Sequence, residues 1–355
     1  MYFTKNKSLK LFMIKIKKHG VILRPTSLPF EDLSTFNPAI YQDGNSVHVF
    51  YRALDKKFVS SIGYARLKGP TKIIERWKKP FLFPKYSYEK HGIEDARIVK
   101  IKDEFYMTYV VHDGINALIA YSHGKNLFKM RRGGIISSKL KYDALGKLFE
   151  YSKLKDKYYF FKSYYKDMVD KDVKIWDKDA FFFPEKINGN YALVHRVLPD
   201  IQVIYFKDFK QIKSKKYWKE YFRSLSKYVI LESKHGFESR NVGGGCPPIK
   251  TRGGWLLIYH GVEPMNKGRI YHAGVALVDL KNPTRVIARL PYPLFSPEKD
   301  FEKKGHVHNV VFPTGTARFG DILYIYYGTS DKYIAVASVN LKDLLKELYK
   351  YKNKE

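Results

Sequence analysis

One pattern recurs five times along this chain and limits what it can fold into. GNSVHVFYR ending at Arg52, DEFYMTYV ending at Val110, GNYALVHR ending at Arg196, GGWLLIYHG ending at Gly261 and GDILYIYYG ending at Gly328 each join a polar turn to an apolar run. A second run with small residues follows each one: IGYARL at 62–67, ALIAYS at 117–122, IQVIYF at 201–206, HAGVALV at 272–278 and YIAVAS at 333–338. Short β-branched and aromatic runs between Gly, Asp and Asn turns are the signature of strands. Aligning Tyr51, Tyr109, His195, Tyr259 and Tyr326 gives intervals of 58, 86, 64 and 67 residues. Five hairpins at a loose period predict an all-β chain, a five-bladed β-propeller in a single domain over residues 1–355, with a large β-sandwich as the rival. The longest interval contains an insertion at about 140–178, rich in Lys, Asp and Tyr, read as an elaborated blade edge or a lid. Leu341, Leu344, Leu345 and Leu348 stand at helical spacing and predict a C-terminal helix at about 340–350.

The chain carries 65 Lys and Arg against 35 Asp and Glu, a formal charge of +30. Such a field attracts phosphates, whether in nucleic acids or in small substrates. The lysines are dispersed, with no basic arm and no nucleic-acid-binding motif, so nucleic acid is not expected as a partner. The single cysteine, Cys246, excludes an intramolecular disulfide framework and a cysteine-based zinc site, and favours a reducing compartment, the cytoplasm. LKLFMIKI near the start is interrupted by Lys10 and Lys15 and lacks the unbroken apolar stretch of a signal peptide. No run of about 18 apolar residues is present to span a bilayer.

HGIEDARI, His91 to Ile98, sets two carboxylates, Glu94 and Asp95, side by side just before Arg97. Adjacent side chains on a regular strand face opposite ways, so only one acid is expected in any one pocket, the other pairing with a base such as Arg97 or with a backbone amide. Two such carboxylates cannot act directly as the pair that flanks a glycosidic bond, which stand about 5 to 9.5 Å apart on one cavity. Arg52, Asp95, Arg196, His260 and Asp331 all stand where apolar runs end, and strand ends converging on one axis would gather them into a pocket. Arg131 and Arg132, Lys178 and Arg196 supply guanidinium and ammonium groups suited to a tetrahedral oxyanion. Phosphate bound there could attack a carbon centre without a protein base.

Other templates are missing: no GxGxxG after a strand, Walker loop, GxSxG elbow or HExxH. Cys246 beside Pro247 reads as a packed small residue. His306 and His308 in GHVHNVVF alternate onto one strand face without a third ligand, so contact with a ligand is favoured over zinc and no metal is expected.

FNPAIY with VFYRA, GIEDARI, DAFFFPEKINGNYALVHR, GGGCPPIKTRGGWLLIYHGV, YHAGVALVDLKNPTRVIAR, and GHVHNVVFPTG with YYGTSD together resemble glycoside hydrolase family 130, the β-mannoside phosphorylases. The segments stand in family order over about 36–340. The resemblance implies a five-bladed propeller and a glycosyltransferase-type phosphorylase whose reaction is reversible and inverting. Orthophosphate is the co-substrate, no cofactor is needed, and a β-1,2- or β-1,4-linked manno-oligosaccharide or conjugate yields α-mannose 1-phosphate. It implies Asp95 as proton donor, acting through a sugar hydroxyl. It further implies Asn37, Arg52 and Asp331 as contacts to the transferred mannose, Arg132, Lys178 and Arg196 as the phosphate clamp, and His260 and Tyr271 in the funnel wall. The family's EDPR proline is Ala96 here. An inverting hydrolase of the same fold and a non-catalytic carbohydrate-binding propeller are the alternatives. A homo-oligomer is compatible with any of them.

Overall fold

The computed structural model describes residues 14–168 and 173–354, so most of LKLFMIKI lies outside the described residues. Each repeat becomes an antiparallel meander. Unit one comprises Ser34–Asp43, Ser46–Leu54, Ser60–Lys68 and Lys72–Arg76, and unit two Gly92–Ile101, Glu104–His112, Ala117–Gly124 and Arg131–Ile135. Unit three comprises Lys178–Phe182, Tyr191–Arg196, Ile201–Phe206 and Val229–Leu231. In unit four Asn241–Gly244 and Ile249–Thr251 both pair with Gly254–Pro264, followed by Arg269–Val278 and Val286–Arg289; Pro247 and Pro248, lacking N–H donors, fall in the gap. Unit five comprises Val311–Phe319, Ile322–Thr329 and Tyr333–Asn340, and is completed by Lys17–Leu23 from the other end of the chain. Units one and two are joined by a single parallel pair, Ser60 with Gly92.

The core lies between the units. Buried apolar residues fall into five clusters, each shared by two neighbouring units. Strand alternation explains this directly: Trp255, Leu257 and Tyr259 enter the cluster shared with unit three, while Leu256 and Ile258 enter the one shared with unit five. A slip of one residue would exchange the two sets, and with each large apolar side chain contributing about 1.5–3 kcal/mol when buried, the register is strongly fixed. The aligned ring residues sit at the middle of this pattern. Gly63 shows the reason for the small residues of the second run, since a β-carbon there would stand 2.4 Å from the Tyr51 ring.

The cluster between units two and three is enlarged by helices that the sequence reading did not foresee. Tyr142–Phe149 and Asp156–Met168 build the insertion, and Phe209–Ile212 and Lys215–Arg223 follow within unit three. Leu145, Phe149, Tyr158, Trp218 and Phe222 from these helices are buried in the shared core. The insertion is therefore anchored by its own apolar face. The C-terminal helix, Leu341–Tyr349, is where helical spacing put it, with Asn340 accepting from Lys342 and Asp343 N–H groups as N-cap and Leu341, Leu344 and Leu348 buried.

Four units share a buried ion pair placed just ahead of the first strand or its approach. Glu31 pairs with Arg76 at 2.9 Å, Glu89 with Arg132, Glu238 with Arg289 at 2.7 Å and Glu302 with Lys18 at 2.9 Å. A tyrosine hydroxyl donates to three of these acids: Tyr51 to Glu31 at 2.6 Å, Tyr259 to Glu238 at 2.9 Å and Tyr327 to Glu302 at 2.8 Å. In unit three the aligned residue is His195, which is held by Asp177 at 2.9 Å and the Tyr221 hydroxyl at 2.7 Å.

Candidate active site

The first strand of units one, two and three carries a β-bulge at the same place. Asn37 and Pro38 oppose Tyr51, Asp95 and Ala96 oppose Tyr109, and Asp179 and Ala180 oppose His195, two residues against one in each pair. Asn37, Asp95 and Asp179 accordingly have φ of 47°, 50° and 56°. This left-handed conformation is one that Asn and Asp tolerate better than other side chains. A bulge re-aims the side chain it carries, and here it directs polar groups from three units at one cavity of about 190 Å³. Asn37, Arg52, Asp95, Lys178, Asp179, Arg196, Tyr271 and Asp331 line it, with Val307, Val310 and Phe312 as apolar wall.

The bulge also corrects the expectation that Glu94 and Asp95 face opposite ways. Both reach Arg52, Glu94 Oε1 at 2.9 Å from one terminal nitrogen and Asp95 Oδ1 at 3.5 Å from the other. Asp95 Oδ1 also accepts from Asn37 Nδ2 at 2.9 Å, and Glu94 Oε2 stands 3.2 Å from Lys178 Nζ. Glu94 thus pairs with bases, as expected, but they are Arg52 and Lys178; Arg97 pairs with neither carboxylate. It is fully buried and donates to the carbonyls of Gly245 at 2.6 Å, Asp95 at 2.9 Å and Ala96 at 3.1 Å, which pins the backbone of the bulge.

Charge is balanced tightly in this cavity. Burial would raise the Glu94 carboxyl, but Arg52 and Lys178 beside it bring it down to about 2, so it is ionised. Burial lifts Asp331 to about 6; Arg52 opposes the rise, and the neighbouring Asp95 and Glu94 add to it. Burial works against the Lys178 ammonium, but Glu94 and Asp95 outweigh it and hold the group charged. Asp179, 3% exposed, stands 3.0 Å from Arg196 Nε without the alignment of a hydrogen bond, so the terminal nitrogens of Arg196 stay available for a forked contact with an anion.

Asp95, Asn37, Arg52, Asp331, Lys178, Arg196 and Tyr271 are thus brought together as the sequence suggested. Arg132 is not. Its guanidinium sits on the outer strand of unit two against the buried Glu89 and the Phe83 carbonyl, the counterpart of Arg76 and Arg289 in their units. His260 is fully buried behind the wall, 3.8 Å from Asp179 and with its ring tilted against Phe312 at 4.4 Å, and burial with the Arg196 and Arg97 charges keeps it neutral. His306 and His308 lie in a bent segment, not on a strand, and no group of three metal-ligating side chains occurs among the described residues. Cys246 is buried and its thiol is pushed up to about 12, as fits a packed residue.

Asp179 escaped the sequence reading. A signal for it existed, since Asn37-Pro38, Asp95-Ala96 and Asp179-Ala180 form one recurring pair, an amide or acid before a Pro or Ala, in three first strands.

The profile of glycoside hydrolase family 130, described as β-1,4-mannooligosaccharide phosphorylase, matches residues 14–350. The chain belongs to this family of mannoside phosphorylases, which are enzymes. A 1,2-β-oligomannan phosphorylase of Thermoanaerobacter sp. (strain X514) is 33% identical over 94% of this chain and 99% of its own. A β-1,2-mannobiose phosphorylase of the same organism is 35% identical over 87% and 91%. Among solved structures, the β-1,2-mannobiose phosphorylase of Listeria innocua in complex with β-1,2-mannobiose superposes with a TM-score of 0.70 at 24% identity, covering 94% of this chain and 99% of that one. A family 130 structure whose description includes glycoside hydrolases that target β-1,2 linkages in Candida mannan gives 0.72 at 23% identity, over 94% and 96%. The family stands among glycoside hydrolases, so the glycosyltransferase-type label is set aside.

Proposed function

We propose that this protein is an inverting phosphorylase that cleaves a terminal β-linked mannoside with orthophosphate, releasing α-mannose 1-phosphate. The observation that carries this reading is the joining of Asp95 with Arg52, Lys178 and Arg196 in a single cavity. The mannosyl unit occupies the cavity against Asn37, Arg52 and Asp331. Orthophosphate lies at Lys178 and Arg196, which have donors left after meeting Glu94 and Asp179. A phosphate oxygen bonds to the anomeric carbon from the face opposite the leaving oxygen, and the bond to the leaving sugar breaks. The proton that oxygen needs comes from the Asp95 carboxyl through a hydroxyl of the mannosyl unit. Inversion follows from the single in-line displacement. Neither a metal nor a cofactor has a part in it.

A β-1,2 linkage is favoured over β-1,4, because the relatives matched over 87% and 94% of this chain carry β-1,2 names, whereas a β-1,4-mannooligosaccharide phosphorylase matches over 48%. Phosphorolysis is favoured over hydrolysis by Lys178 and Arg196 at the cavity, which water as nucleophile would not require. Five units around a central cavity are read as a five-bladed propeller. The first strands of units five, one, two, three and four neighbour one another in that order, and unit four touches the first strand of unit five, which supports that reading. No helix among the described residues is long and apolar enough to cross a membrane, and the lone buried cysteine suits the cytoplasm.

The test is incubation with β-1,2- and β-1,4-mannobiose, with and without orthophosphate. Mannose 1-phosphate formed only with phosphate is the expected result. Free mannose formed at equal rate without phosphate would establish the hydrolase instead, and an inert protein would leave the carbohydrate-binding alternative.

A further inference from the structure

We propose that a basic annex beside the catalytic cavity binds an anionic group, a phosphomonoester or a carboxylate, on the sugar that leaves. The inference rests on the phosphorylase reading above. A second cavity of about 480 Å³ shares Tyr271 and Val307 with the catalytic one, so the two adjoin along one wall. Lys267, on the turn between the two long strands of unit four, and Arg269, which opens the second of them, form one side of it; His306 and His308, on the bent segment before unit five, form the other.

An unpaired lysine means little in a chain with an excess of 30 positive charges. What sets this annex apart is the contrast with its neighbour. Every cation of the catalytic cavity faces a carboxylate. No carboxylate lines the annex, and among the described residues neither Lys267 nor Arg269 has an ion pair. Glu263, the nearest acid along that turn, is held by His272 at 3.1 Å. Arg240 stands close by; among the described residues its side chain has the neutral Asn241 amide oxygen as hydrogen-bond partner, at 2.6 Å, and lies over the Phe161 ring, and burial first and then the Arg269 charge lower its pKa. The exposed Arg269 guanidinium and Lys267 ammonium, lining one cavity without a counter-ion, suit an anion held by charge-assisted hydrogen bonds. The catalytic cavity is filled by the transferred mannose and phosphate, so a group in the annex belongs to the sugar on the leaving side.

The reaction run in reverse tests this, with α-mannose 1-phosphate as donor and mannose, mannose 6-phosphate or mannuronic acid as acceptor. At low salt the anionic acceptors should have kcat/KM at least about tenfold above mannose. In the double variant Lys267→Ala/Arg269→Ala that preference should fall toward parity, with transfer to mannose unchanged. Preference for mannose 6-phosphate over mannuronic acid assigns a phosphomonoester, and the opposite order a carboxylate. Mannose equal to or better than both anions, or a double variant that lowers all acceptors alike, overturns the annex. Cleavage of neutral mannobiose with no transfer to either anion overturns it too, while no reaction in either direction overturns the phosphorylase reading itself.

Discussion

Arg132 separates two accounts of the same residue. If it belonged to the phosphate clamp, Arg132→Ala would leave the fold intact and raise KM for phosphate. The structure instead places it against Glu89, whose side chain is 1% exposed, so truncation leaves a buried carboxylate with no counter-charge. Removing one partner of a buried pair costs about 3–5 kcal/mol. At about 2.1 cal/mol/K per residue, the 355-residue chain has an unfolding entropy near 0.75 kcal/mol/K, so Tm should fall by about 4–7 °C. The folded fraction should keep its KM for phosphate. Adding Glu89→Gln to Arg132→Ala removes the stranded charge and should recover part of the lost stability, a coupling that a double-mutant cycle followed by calorimetry would read. A raised KM for phosphate with unchanged Tm in Arg132→Ala would refute this account and return the residue to the clamp.

Three further outcomes are expected. Asp95→Asn should lose several orders of magnitude in kcat at unchanged Tm; an undiminished rate would remove Asp95 as the acid. Arg196→Ala, like Lys178→Ala, should raise KM for phosphate more than KM for mannoside; equal effects on both would dissolve that division of roles. Asp331 holds its proton to about pH 6 in the fold but to about its ordinary 3.8 when unfolded, so it lowers stability as pH rises through that window, by at most about 3 kcal/mol. Asp331→Asn should therefore raise Tm at pH 8 and leave it unchanged near pH 3, and thermal melts showing no gain at pH 8 would contradict the burial of that charge.

The units were legible because strand alternation is written in the sequence: each aligned ring stands mid-strand with a small residue placed opposite or nearby, and Tyr51 with Gly63 states the rule in two residues. The bulges were not legible, because an extra residue is a relation between two strands. Nothing within GIEDARI alone says that Tyr109 will face two residues, and assuming a regular strand sent Glu94 and Asp95 to opposite faces. The same assumption hid Asp179, although its place in the three-fold pair was readable once first strands are aligned with one another. Arg132 misled because a cation's sequence neighbours do not reveal its partner. Here too a clue was present, in the aromatic-Glu pairs Phe30-Glu31, Tyr88-Glu89, Phe237-Glu238 and Phe301-Glu302, each of which delivers the acid of a buried ion pair. The insertion's helices lie in a Lys- and Tyr-rich stretch whose apolar face consists mostly of aromatic rings, a weak periodic signal.

The bulges have a bearing on how such a catalyst can diversify. Their backbone fixes an address that points at the cavity, and the positive φ at that address admits few occupants: Asn, Asp and Gly above all. Positions 37, 95 and 179 can therefore exchange an amide for a carboxylate, or for no side chain, with little disturbance to the packing between units. Longer acids and bases are discouraged there by conformation alone. New chemistry at this cavity must then come chiefly from the residues that face the bulges from neighbouring strands, among them Arg52, Lys178 and Arg196, or from the turns that crown it.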